Sequence, residues 1–148
     1  MPQAMQTEIP QLSERIEECY EFTLSYAARG LAGEESGDAQ RQLRDHLSRA
    51  VEAMRGLEQS CVDATLREQL LPANTYEPFF AVLKRDAQSS IAAIELVLAQ
   101  PAIGSQLIDN LNASIHLRAL LADLFLVTEI LDVRRAHASA GNGISGQH

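Results

Sequence analysis

Residues 43–61, LRDHLSRAVEAMRGLEQSC, set Leu43, Leu47, Ala50, Met54, Leu57 and Cys61 at alternating steps of four and three. That spacing returns each apolar side chain to one side of a 3.6-residue turn, so the stretch predicts a helix with a single buried stripe. The pattern extends the helix from Asp38 toward Leu71, where Pro72 stops it. Gly56 inside this run costs about 1 kcal/mol relative to Ala, which predicts a kink or a close helix contact there.

The same period recurs on both sides. Upstream, Leu12, Ile16, Cys19, Thr23 and Tyr26 mark a first helix that begins near Pro10, with Phe22 and Ala27 widening its stripe. Gly30 and Gly33 end it, since glycine adopts the left-handed conformation that closes a helix. Downstream, Asn74 with Glu77 resembles a capping box and Pro78 suits a first turn, so a third helix starts within 74–78 and runs to Pro101. Its inward positions are Phe80, Leu83, Ala87, Ile91, Ile94 and Leu98. Ser105 is read as the N-cap of a fourth helix through Leu107, Leu111, Ile115, Leu121, Leu124, Phe125 and Leu131 to about Ala136.

No stretch alternates at period two, and the connections are short. The expected fold class is therefore all-α, an antiparallel up-down four-helix bundle with unequal helix lengths. One domain is expected over residues 8–136, between a flexible N-terminus at 1–7 and a disordered tail at 137–148 whose SAGNGISGQH is rich in Gly and Ser.

A chain of 148 residues suits one core. Its net charge of −8 repels phosphate backbones and anionic lipid headgroups, which argues against nucleic acid or a membrane as partner. Neither a secretory signal nor a span of about 20 apolar residues is apparent, so the expected location is the cytoplasm. The two cysteines, Cys19 and Cys61, stand in no metal-binding or redox spacing and are expected to pack as small apolar residues.

Charge divides unevenly. The first 35 residues hold seven acids and two arginines, and folding the chain back near Glu34 sets Glu14, Glu17, Glu18 and Glu21 opposite Arg41, Arg44, Arg49 and Arg55. Glu18 and Arg49 fall in register. Solvated faces with a few weak ion pairs are the ordinary outcome of such a pattern. The equivalent operation about Ala102 sets Asp86 level with Arg118, near Ser90, as a polar layer that could bind a small molecule or fix helix register.

Patterns for chemistry are sparse. No Glu precedes a histidine by three residues, and His-Glu-x-x-His, GxxxxGK, GxGxxG and Gly-x-Ser-x-Gly do not occur. No catalytic residue, metal ligand or cofactor is assigned, and an enzyme is the less favoured class. Arg41-Gln-Leu-Arg-Asp-His46 has the Arg-x4-His spacing that resembles the motif of HEPN-type helical ribonucleases. The resemblance spans six residues and implies a remote alternative as a ribonuclease, with Gln42 standing where that family usually carries Asn or Asp. Roughly one such spacing is expected by chance in this composition.

Helix length carries the functional expectation. Helices two and four span about 50 Å each and helix one about 32 Å, which predicts an uncovered end formed by the close of helix two, the start of helix three and the second half of helix four. That half reads LRALLADLFLVTEIL over 117–131, apolar on nearly all sides. Leu120, Leu124, Val127 and Leu131, with Phe79 and Phe80, are the expected interface of a homodimer through helix four. The function expected from these features is a non-enzymatic cytosolic interaction module, adaptor or chaperone-like, that binds itself and another protein. The alternative is a small-molecule sensor built on Asp86, Ser90 and Arg118.

Overall fold

In the computed structural model, residues 8–30 and 37–145 are described, with side chains through Ala140. The chain is all-helical, with five helices packed together and no strand among the described residues. They are α1 (Ile9–Ala28), α2 (Gly37–Glu68), α3 (Ala73–Leu98), α4 (Ser105–Asn112) and α5 (Ile115–Ser145).

The periodic stripes decide what is buried. Leu12, Ile16, Cys19, Thr23 and Tyr26 of α1 face Leu43, Leu47, Ala50, Met54, Leu57 and Cys61 of α2 in one core. Leu83, Ala87 and Ile94 of α3 complete that side, while Phe80, Ile91 and Leu98 are half-buried at its edge. Gly56 answers the expectation of a close approach: a Cβ there would sit 3.3 Å from Leu12 Cδ1. The missing side chain is what lets α1 lie close on α2.

Helix ends follow local chemistry with some departures. Gly30 does take a left-handed turn, φ 68°, after α1; Gly33 and the 1–7 segment lie outside the described residues. Pro10 occupies the first turn of α1 as expected. The second helix stops at Glu68, three residues before the expected Leu71, because Gln69 turns at φ 49° and sends Leu70 into the core. No side chain caps α3, which starts after Pro72, so the Asn74 capping box does not form. Gly104, not Ser105, is the N-cap of α4; the Ser105 hydroxyl instead donates to Tyr26 O at 3.0 Å.

The largest departure is in the expected fourth helix, which is broken at Ala113–Ser114. The first part, α4, is tied to α1, where Asn112 Nδ2 donates to Thr23 O at 3.1 Å. The Tyr26 hydroxyl donates to Ile103 O and receives Gln40 Nε2, each at 2.8 Å, fixing the α3–α4 connection against α1 and α2. The second part, α5, is then free to set its own rotation between α1 and α3. It also continues as helix to Ser145, past the expected end near Ala136; the final residues 146–148 lie outside the described residues.

Charged side chains link helices at their edges. Lys84 on α3 meets Glu58 on α2 at 2.8 Å, and Arg55 meets Glu95, so rising numbers in α2 oppose falling numbers in α3. At one end, Glu8, the N-cap of α1, approaches Arg67 and Arg135, each at 3.6 Å, and Arg135 Nε donates to Glu68 at 2.7 Å. Arg44 donates to Leu98 O and Gln100 O, satisfying carbonyls that the close of α3 leaves without helical partners.

The expected pairing of α1 glutamates with α2 arginines is not what forms. Arg41 bonds Asp38, Arg49 bonds Asp45, and Arg44 and Arg55 reach α3 and its C-terminal end. The register itself is close to the expected one, since Phe22 stacks on His46 with ring centroids 4.0 Å apart. Among the described residues, no helix is long and apolar enough to cross a membrane.

Candidate protein-interaction surfaces

Leu120, Leu124, Val127 and Leu131 were expected to need a partner; the subunit encloses them itself. Leu120 and Leu124 are fully buried, and Val127 and Leu131 are 1% exposed. The reason is geometric. Breaking the fourth helix turns these four side chains inward between α1 and α3, and α1 is long enough to reach the end of α2, where Glu8 meets Arg67. At the end of the molecule that was expected to lack its fourth helix, these four side chains are therefore covered, while the close of α2 and the start of α3 keep open apolar grooves.

The apolar surplus is real but lies elsewhere on the same elements. Ile115 and Phe125, expected in the core, are 75% and 55% exposed. With Leu126 and Val133 they stand on the face of α5 opposite the buried leucines. Arg118 and Glu129 share that face, and neither side chain has a hydrogen-bond or ion-pair partner among the described residues.

A second apolar surface surrounds the start of α3. Phe79 and Phe80, both half-buried, are consecutive, so a 3.6-residue turn aims them about 100° apart. Phe80 helps floor an open groove of about 390 Å³ between α2 and α3, together with buried Cys61 and Leu83. Val62 and Leu66, one helical turn apart, form the α2 wall, and Leu66 is 74% exposed. Glu58, Lys84 and Glu77 rim the groove. Lys84 is engaged by Glu58, whereas Glu77 has no ion-pair partner among the described residues. Phe79 points to a neighbouring groove of about 430 Å³, where Tyr76, Leu71 and Pro72 face Leu126, Val127 and Ile130.

The polar layer expected from Asp86, Ser90 and Arg118 is not assembled. The break in the fourth helix shifts its register, so Asp86 meets Asp123 instead, and Arg118 stands exposed on the outer face of α5. Ser90 is fully buried with its hydroxyl unpartnered. The small void lined by Ile16, Cys19, Met54 and Leu117 holds about 10 Å³, too little for a ligand.

Other candidate chemistry disperses in the same way. Burial pushes the thiols of Cys19 and Cys61 up to about 12, so both are protonated and inert as nucleophiles near neutrality. Arg41 is held by Asp38 while His46 packs on Phe22, and burial followed by Arg49 lowers the imidazole below its ordinary value. The two members of the Arg-x4-His spacing thus have separate partners. Among the described residues, no group of three or more His, Cys, Asp or Glu side chains could hold a metal ion.

Comparison of the chain with protein-family models, curated proteins and solved structures finds no match.

The exposed face of α5 could have been found in the sequence. Around an ideal helix, Leu120, Leu124, Val127 and Leu131 share one side, while Ile115, Ala122, Leu126 and Val133 share the opposite one. A helix apolar all round hides this division unless the two stripes are separated before asking which is buried.

Proposed function

We propose that this chain is a non-enzymatic protein-interaction module, adaptor or chaperone-like, built as an up-down four-helix bundle that works as a homodimer in the cytoplasm. The up-down order is supported by cross-links between successive long helices, Lys84 with Glu58 and Phe22 against His46, and by the link of Glu8 with Arg135 between the first and the last. The observation that carries the functional reading is the open apolar groove between α2 and α3, with Leu66 74% exposed on its wall. A contiguous exposed apolar surface of this kind favours protein contact over catalysis, since its charged groups stand at the rim and its floor is apolar.

Two parallel walls suit a short amphipathic helix that seats side chains at i, i+4 spacing. Glu77 remains unpaired beside the groove and Lys84 is occupied by Glu58, so basic flanks on that helix are favoured over acidic ones.

The test is binding of fluorescent amphipathic helical peptides, one with a leucine face and lysine flanks, the other with glutamate flanks. The intact protein is expected to bind the lysine peptide more tightly, and Leu66→Asp to weaken that binding roughly tenfold or more while the far-ultraviolet circular dichroism stays unchanged. Equal affinity for both peptides, or no loss in Leu66→Asp, overturns the groove as the recognition surface.

A further inference from the structure

The outer face of α5 has an internal symmetry that its inner face lacks. Exposed Ile115 stands nine residues before Leu124, and exposed Val133 nine residues after it. Arg118 and Glu129, both exposed and without side-chain partners among the described residues, lie almost equally far from a point between Asp123 and Leu124. Exposed Ala122 is likewise balanced across that point by exposed Phe125 and Leu126.

We propose that this face packs antiparallel against the same face of a second copy, across a two-fold axis between Asp123 and Leu124, with Arg118 of each subunit paired to Glu129 of the other. The inference rests on the homodimeric reading and names its interface. A two-fold contact must be self-complementary, so that whatever one residue meets must meet it in return. Arg118 with Glu129 and Ala122 with Phe125 are centred on that axis, and Ile115 with Val133 on Leu124 half a residue away, so one superposition sets cationic Arg118 against anionic Glu129 and small Ala122 against Phe125, with Ile115 beside Val133 and exposed Asp132.

Charge selects the second copy further. Each chain carries −8, which separates two copies at long range. Between Arg118 and Glu129, however, the exposed face bears one cation and one anion and is locally neutral. The helix pair would extend from Ile115 to Val133, about 27 Å. The buried leucines on the opposite side of α5 would hold the face in position without taking part.

The proposal is tested by sedimentation equilibrium of the full chain and three variants: Arg118→Glu, Glu129→Arg, and the two combined. The wild type is expected to have twice the 16.2 kDa mass at tens of micromolar. Each single reversal sets like charges opposite each other twice and is expected to weaken the dimer roughly tenfold or more, while the double reversal restores it. Circular dichroism confirms that each exposed substitution leaves the fold intact. A monomeric wild type overturns the homodimeric reading itself. A dimeric wild type that is unmoved by the single reversals, or not restored by the double one, overturns this interface and leaves dimerisation standing.

Discussion

Asp123 on α5 faces Asp86 on α3, and burial, followed by that neighbouring carboxyl, pushes Asp123 up to about 7 from an ordinary 3.8. Two ionised carboxylates repel each other at this spot, and Asp123 Oδ2 is a buried oxygen without a hydrogen-bond partner. A proton held by Asp123 removes the repulsion. The folded state therefore retains a proton that the unfolded chain releases between pH 3.8 and about 7. The pair's contribution is fully present at the acid end of this window and is lost as pH rises through it. His46, lowered by burial, opposes this on acidification, so the pair is isolated by comparing wild type with Asp123→Asn. Solvent screening at a half-exposed position holds the effect to about 1 kcal/mol, or roughly 3 °C in Tm. Thermal melts should show the wild type losing ground to Asp123→Asn between pH 5 and pH 8; a difference that does not change with pH contradicts the proton held by Asp123.

Leu124 and Phe125 are adjacent in sequence and opposite in environment, the first fully buried and the second 55% exposed. Leu124→Ala is expected to cost about 2–5 kcal/mol through the cavity it leaves. Phe125→Ala should cost under about 1 kcal/mol of subunit stability, measured by urea unfolding at a concentration low enough to keep the chain monomeric. Comparable losses at both positions would show that α5 is rotated from the orientation described.

Much of this fold was legible because its stripes are regular. In α1 and α2, threes and fours identified Ile16, Tyr26, Leu47 and Leu57, and all four are buried. Gly56 signalled the approach of Leu12 for the reason anticipated, the absence of a side chain. The fourth helix misled because Ile108 and Leu111 lie on one rotational phase, Leu120 and Leu124 on another, and no Gly or Pro marks the change. Local propensity permits helix straight through Ala113. Tertiary bonds from Asn112 to Thr23 and from Tyr26 to Ile103 accompany the break, and these link residues 77 to 89 positions apart. The residues expected to be uncovered on α5 are consequently its buried ones, and the exposed apolar residues lie on its opposite face.

Tyr26 is 1% exposed, and its hydroxyl joins the carbonyl of Ile103 to the side chain of Gln40. Tyr26→Phe keeps the ring and removes both bonds. Gln40 Nε2 still reaches Ile103 O at 3.0 Å, which limits the loss to about 1–2 kcal/mol. Urea unfolding checks the magnitude, and hydrogen exchange should rise first in α4. An unchanged stability would mean that the hydroxyl does not hold this connection.

At Gly56 the space in front of the backbone is filled by Leu12. Alanine gains about 1 kcal/mol of helix propensity and loses part of it by displacing Leu12 Cδ1 a few tenths of an ångström, so Gly56→Ala should be nearly neutral. Gly56→Leu has no such latitude and should cost about 1–3 kcal/mol by forcing α1 away from α2. Chemical denaturation of both variants decides the matter; equal stability of the two would place α1 farther from α2 than described.

Covalent capture gives the most direct reading of whether α5 meets its own copy. Ala122 is exposed near the proposed two-fold axis, whereas both native cysteines are buried. On mild oxidation, Ala122→Cys should cross-link rapidly into a covalent dimer, while Ala92→Cys, exposed on α3, should remain monomeric under the same conditions. Cross-linking of the two variants at the same slow rate would contradict the account.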